Sequence, residues 1–228
     1  CLDADCTVAP SYLVALAEWF DAHPEADAAA VHFEHPHEDL SDPRHRAAIV
    51  GYELFLRCHV HGLGVTHIDA LCHMFWRGKM YNGYPASDVK STGAVRNTVL
   101  SFADGIVGRG VLLDVAAAKG VAYLPPAQTV LTVADLEATE KKQGLRVEPG
   151  DVLLVGTGRD AFRKEKGGRL DPADGMAGLH PECLPWLRER EIAALGSDGI
   201  SDAVPGLGVS KWPFPIHQIG ITSMGLHL

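Results

Sequence analysis

Apolar positions along this chain switch repeatedly between helical and strand spacing. Leu13, Leu16, Ala17 and Phe20 share a helical face behind Pro10-Ser11, and residues 28–33 form a short apolar run that reads as a strand. Ile49, Tyr52 and Leu56 recur at helical spacing after Asp42-Pro43, which predicts a second helix through about His59. Further on, Val111-Leu112-Leu113-Asp114-Val115 predicts a compact strand. Thr132 with Asp135 three places later predicts a capped helix over 132–143. Pro149-Gly150-Asp151 predicts a turn into a buried strand over 152–155, and Gly156-Thr157-Gly158-Arg159 reads as the turn leaving it. Residues 181–190 read as helix, 192–198 as a strand with its exit loop, and the apolar run ending at His227 as a last strand. Strands alternating with short helices, without an internal repeat or a low-complexity linker, indicate an α/β chain.

Composition narrows the function classes. The 228 residues are 46% apolar and 21% charged, which is ordinary for a globular protein. No run of about 18 apolar residues and no signal peptide is visible, so the expected location is the cytoplasm, without a membrane partner. The five cysteines are odd in number and form no CxxC pair, as expected of reduced thiols. A net charge of −9 argues against a nucleic-acid partner. Residues 1–62 hold three basic and eleven acidic residues, a net of −8, and leave −1 for the other 166. That asymmetry suggests a boundary near Gly62.

The densest candidate chemistry lies between His61 and His73. On an extended strand His67 and Asp69 would point the same way and offer imidazole nitrogen and carboxylate oxygen to one metal ion. A turn after Asp69 would bring His73 back to the same space. A half-buried strand with incidental histidines is the bland alternative. At the junction, helical spacing places His59 and His61 in a last turn closed by Gly62, whereas a metal site wants a strand entering His61.

Thr66-His67-Ile68-Asp69-Ala70-Leu71-Cys72-His73, followed by Gly78-Lys79-Met80-Tyr81-Asn82-Gly83, resembles the cyclase family of metal-dependent hydrolases, which includes bacterial kynurenine formamidase and isatin hydrolase. Gly108-Arg109-Gly110-Val111-Leu112-Leu113-Asp114, Gly178-Leu179-His180-Pro181 and Pro215-Ile216-His217-Gln218 resemble that family in order and spacing. Leu63 stands where the signature's first histidine falls, so His61 is expected to take that role, and Leu71 replaces the signature's proline. The resemblance implies a mixed α/β domain with a β-barrel-like sheet core. It also implies one or two Zn²⁺ or Mn²⁺ ions held by His61, His67, Asp69 and His217, with His73 as general acid/base. Trp76, Phe75 and Tyr81 are candidates for the wall of an apolar pocket. The implied reaction is hydrolysis of a C–N amide bond in a small aromatic or cyclic amide, by a homo-oligomer. A family carboxylate expected about a dozen residues after His217 would fall past Leu228, so residues 63–228 read as a C-terminally truncated cyclase-like domain.

Residues 1–62 carry a different resemblance. Leu2-Asp3-Ala4-Asp5 resembles the Asp-x-Asp motif of family 2 glycosyltransferases, in which a metal neutralises the diphosphate of a sugar nucleotide. A glycosyltransferase relying on Asp3 and Asp5, and a composite or truncated chain without activity, are therefore the alternative readings. The His32, Glu34, His35, His37, Glu38 tract around Pro36 is expected to be a solvated loop.

Overall fold

The computed structural model describes residues 66–90, 93–168, 170, 172–205 and 214–228. The helices expected before residue 62, the strand at 28–33, Asp3, Asp5, the His32–Glu38 tract and His61 lie outside the described residues. The chain divides into two compact units, Cys1–His67 with Asp88–Arg96 and Ile68–Ser87 with Asn97–Leu228. In the first, strands β1 (Val89–Lys90) and β2 (Gly93–Ala94) pair antiparallel, and Arg96 reaches Asp88 at 3.3 Å.

The second unit is mixed α/β. Its central sheet is parallel, in the order β3 (Gly110–Asp114), β5 (Val152–Gly156), β7 (Ala194–Ser197). Leu113 lies opposite Val155, and Leu153 opposite Leu195. A second parallel pair joins β4 (Val130–Leu131) to β6 (Gly178–Leu179). The helices are α1 (Val115–Ala118), α2 (Val133–Gln143), α3 (Arg159–Glu165), α4 (Cys183–Glu189) and α5 (Pro215–Ile219), the last continued by a π-helical turn over Gly220–Met224.

β3 and β5 are short apolar runs of Val and Leu whose burial alternates with period two. Val111, Leu113, Leu153 and Val155 enter the core, while Leu112 and Leu154 stand outward, 49% and 42% exposed. Leu136 of α2 and Leu184 and Leu187 of α4 cover the inner face, with Leu131, Leu179 and Ile216 in the same cluster. Completely burying a leucine there contributes about 1.5–3 kcal/mol.

Turn and cap residues define the boundaries. Asp135 accepts hydrogen bonds from the Thr132 N–H and hydroxyl, each at 2.9 Å, and α2 ends at Gly144 in the left-handed region. The expected strand 111–115 ends one residue early, because the Asp114 side chain accepts from the Ala117 N–H and starts α1 at Val115. Asp151 closes its turn by taking the Glu148 N–H at 2.7 Å and a two-pronged contact from Arg109 at 2.7 and 2.8 Å.

Two expectations are corrected. Residues 66–70 belong to no strand, and the chain turns over 71–73. The run read as a strand ending at His227 is helical through Met224, where Pro215 presets the first helical φ and Gly220 and Ile221 are buried side by side. His227 itself bridges Ala194 of β7 in parallel, and its carbonyl accepts the Leu195 N–H at 2.9 Å.

Two measurements check this account. Leu153→Ala is expected to cost about 2–5 kcal/mol and Leu154→Ala a fraction of that, read by urea unfolding. The Arg109 guanidinium holds the Asp151 carboxyl below its ordinary value. A lowered carboxylate stabilises above its unfolded pKa of about 3.9 and loses that contribution as pH falls through the folded value. Arg109→Leu should therefore unfold at a higher pH than the parent chain when acid denaturation is followed by circular dichroism.

Candidate active site

Asp69, 1% exposed, is the centre of a cluster built from three separate parts of the second unit. Its backbone N–H donates to the Leu228 carbonyl at 2.6 Å, which fixes the segment beside the C-terminal residues. The tight turn that follows is closed by the His73 N–H on the Ala70 carbonyl at 2.9 Å. This return places His73 Nε2 3.7 Å from Asp69 Oδ2. His217, in α5, brings its Nε2 to 3.6 Å from the same oxygen.

The second carboxylate is Asp202, fully buried and five residues beyond the end of β7. Its Oδ2 lies 2.5 Å from His217 Nδ1 and accepts the His217 N–H at 3.3 Å, while Oδ1 accepts the Ile216 N–H at 2.7 Å. The backbone around Asp202 is tied to β6: the Leu179 N–H donates to the Ser201 carbonyl at 2.8 Å, and Met176 and Val204 exchange bonds at 2.7 and 2.8 Å. A Cβ on Gly178 would come within 2.2 Å of the Asp202 carbonyl carbon, so only glycine admits this approach.

His227 borders the cluster. Its Nδ1 lies 3.3 Å from the Asp69 carbonyl, and its ring meets Phe102 edge-on at 4.3 Å. Burial pushes its imidazole below the ordinary value.

Of the residues singled out from the sequence, Asp69, His73 and His217 come together. His67 is exposed and belongs to the first unit, and His61 lies outside the described residues. Phe75 and Trp76 follow His73 at 43% and 47% exposure, with the Arg77 guanidinium 5.3 Å from the Trp76 ring. Tyr81 instead packs its ring over Gly225, where a Cβ would fall 2.4 Å from the ring. Asp202 was not among the candidates. Its only sequence signal is an aspartate in the exit loop of a parallel strand, where polar groups of α/β sites gather.

Among the described residues no group of three His, Cys, Asp or Glu side chains stands in metal-binding geometry. Two donors each about 2.1 Å from one ion at a tetrahedral angle lie about 3.4 Å apart. The 3.6 Å separation of His217 Nε2 from Asp69 Oδ2 is close to that, and imidazole with carboxylate is a donor set suited to Zn²⁺ or Mn²⁺. The chemistry of Asp69 and His217 fits a divalent ion, with the remaining ligands to come from elsewhere.

A family model described as Putative cyclase matches residues 13–202. No curated protein matches the chain. Among solved structures, one described as a novel cyclase is 30% identical with a TM-score of 0.60, over 70% of this chain and 53% of that one. Isatin hydrolase A from Labrenzia aggregata, bound to benzyl benzoate, is 27% identical with a TM-score of 0.46, over 71% of this chain and 57% of its own. Isatin hydrolase A from Ralstonia solanacearum is 23% identical with a TM-score of 0.47, over 71% and 56% respectively. The chain thus spans little more than half the length of these relatives.

The close approach at Gly178 supplies a test of the site's scaffold. Gly178→Ala is expected to destabilise the chain by about 1–3 kcal/mol, the usual cost of overpacking, because Asp202 must shift. Thermal unfolding at a pH near neutrality checks it, with Gly110→Ala, which meets no atom within 4 Å, as the comparison.

Proposed function

The chain belongs to the cyclase family, and on that premise we propose that it is a metal-dependent hydrolase that cleaves a C–N amide bond in a small aromatic or cyclic amide. The observation that carries this reading is the convergence of two imidazole nitrogens, at 3.6 and 3.7 Å, on one oxygen of a carboxylate that is 1% exposed. Outside a functional site, a buried carboxylate facing two histidines brings a desolvation cost without a packing benefit.

Asp69 and His217 would hold the ion; His67 matches a ligand position of the family signature, and His61 would stand in for the ligand that the signature has at Leu63. Bound there, Zn²⁺ or Mn²⁺ would acidify a water toward neutral pH and polarise the carbonyl under attack. The other tasks fall to this chain's own groups. His73, whose side chain is 24% exposed, is open to a substrate on one side and faces Asp69 on the other. It takes the proton of the attacking water and returns it to the departing nitrogen. The Asp69 carboxylate stabilises the imidazolium formed in between. Phe75 and Trp76, adjacent to His73 in the chain, offer aromatic surface to a ring on the substrate.

Elemental analysis of the purified chain should find Zn²⁺ or Mn²⁺, and Asp69→Ala should lose it. Assays with formylated aromatic amines and cyclic amides should show hydrolysis that a chelator abolishes. A chain that takes up neither ion when both are supplied would overturn the proposal. His73→Ala should keep most of its metal while turnover falls about 10²–10⁴-fold. Loss of metal together with activity would make His73 a ligand instead.

A further inference from the structure

Asp202 performs two tasks with one carboxylate. Pro215 occupies the first position of α5, so the N–H groups of Ile216 and His217 fall in the first turn, where no helical carbonyl is available to them. Asp202 accepts both, at 2.7 and 3.3 Å, and so caps a helix from a strand-exit loop fourteen residues upstream of Ile216. The same carboxylate lies 2.5 Å from His217 Nδ1. Helix start and imidazole ring are therefore referred to a single anchor, itself fixed by the pairing of residues 201–204 with β6.

From this geometry we infer that Asp202 is the positioning residue of the site: it locks His217 in the tautomer protonated at Nδ1 and turns a bare Nε2 toward Asp69. An ionised carboxylate only accepts hydrogen bonds, so the ring nitrogen facing it must carry the hydrogen. The second nitrogen of a neutral ring is then a lone pair, and it faces Asp69 Oδ2 at 3.6 Å. Two electron-rich atoms set against each other in the interior repel, and a cation between them reverses the sign of that interaction. Asp202 thus keeps His217 ready to donate to an ion rather than to hydrogen-bond Asp69. A His217 freed from Asp202 would take the opposite tautomer and donate an Nε2–H to Asp69, which closes the space. This consequence for the ion rests on the hydrolase reading above, whereas the tautomer does not.

The test is nitrogen-15 NMR of the metal-free chain near pH 8, where a free imidazole is neutral, with the His217 ring signals identified by their loss in His217→Gln. The parent chain is expected to show hydrogen at Nδ1. Asp202→Asn keeps the shape, but its amide can donate to Nδ1, so the hydrogen should move to Nε2. A parent ring protonated at Nε2, or the same tautomer in both proteins, would overturn the inference. Should Asp202→Asn fail to fold by circular dichroism, the parent spectrum alone decides. Calorimetric titration with Mn²⁺ and with Zn²⁺ forms the second arm. Asp202→Asn should weaken binding by about 10–100-fold, and Asp202→Glu should recover part of it. Unchanged affinity in Asp202→Asn with a switched tautomer would refute the role toward the ion. A parent chain with the expected tautomer that binds neither ion would instead refute the hydrolase reading and leave the positioning role standing.

Discussion

Asp69 and Asp202, both essentially without exposure, set the terms for everything around them. A buried carboxylate costs several kcal/mol unless N–H donors or positive charge surround it. Asp202 meets that demand with the two first-turn N–H groups of α5 and the His217 ring. The demand explains otherwise arbitrary choices: glycine at 178, where any side chain would strike the Asp202 backbone, and proline at 215, which opens a helix exactly where two donors are wanted by a distant acid. Asp69 is drawn in by its own backbone bond to Leu228 and then faces both histidines.

The same device recurs at the ends of the parallel strands. Asp198, just past β7, accepts from the N–H groups of Thr157, Gly158 and Arg159 and from the Thr157 hydroxyl, at 2.7 to 3.0 Å. It thereby secures the turn from β5 into α3. Gly158 occupies the left-handed region with a Cβ position only 2.3 Å from the Ala122 carbonyl oxygen, so that turn too is closed to other residues. Loops leaving the strand ends are thus held by carboxylates on backbone N–H groups. A rigid exit loop is what allows Asp202 to orient a histidine that lies 15 residues further along the chain.

Binding both carboxylates close to one imidazole has an electrostatic consequence. Negative charge gathers in an apolar setting, and each N–H that reaches Asp202 offsets part of it. Asp69 keeps its oxygen turned to the nitrogens of His73 and His217. A site arranged in this way is suited to a cation, which is the chemistry proposed for it.

Much of the fold was legible without a structure. The short apolar runs of β3 and β5, the Thr132–Asp135 cap of α2, the turn at Asp151 and the helix α4 all depend on near neighbours in the chain, and those are what run length, periodicity and capping rules describe. The spacing of Asp69 and His73 likewise marked the heart of the cluster, because one tight turn suffices to bring them together. Asp202 carried no such mark, and the apolar run read as a strand ending at His227 winds as a helix through Met224 before His227 bridges β7. Both were decided by tertiary structure. A buried carboxylate bonds to whichever N–H groups the fold leaves unpaired nearby, and an apolar run takes the conformation that its neighbours cap and cover. Sequence alone determined which short segments form and which side chains carry chemistry. Only the pairing of β6 and its neighbours with residues 201–204 decided that Asp202, 15 residues before His217, would lie against its ring.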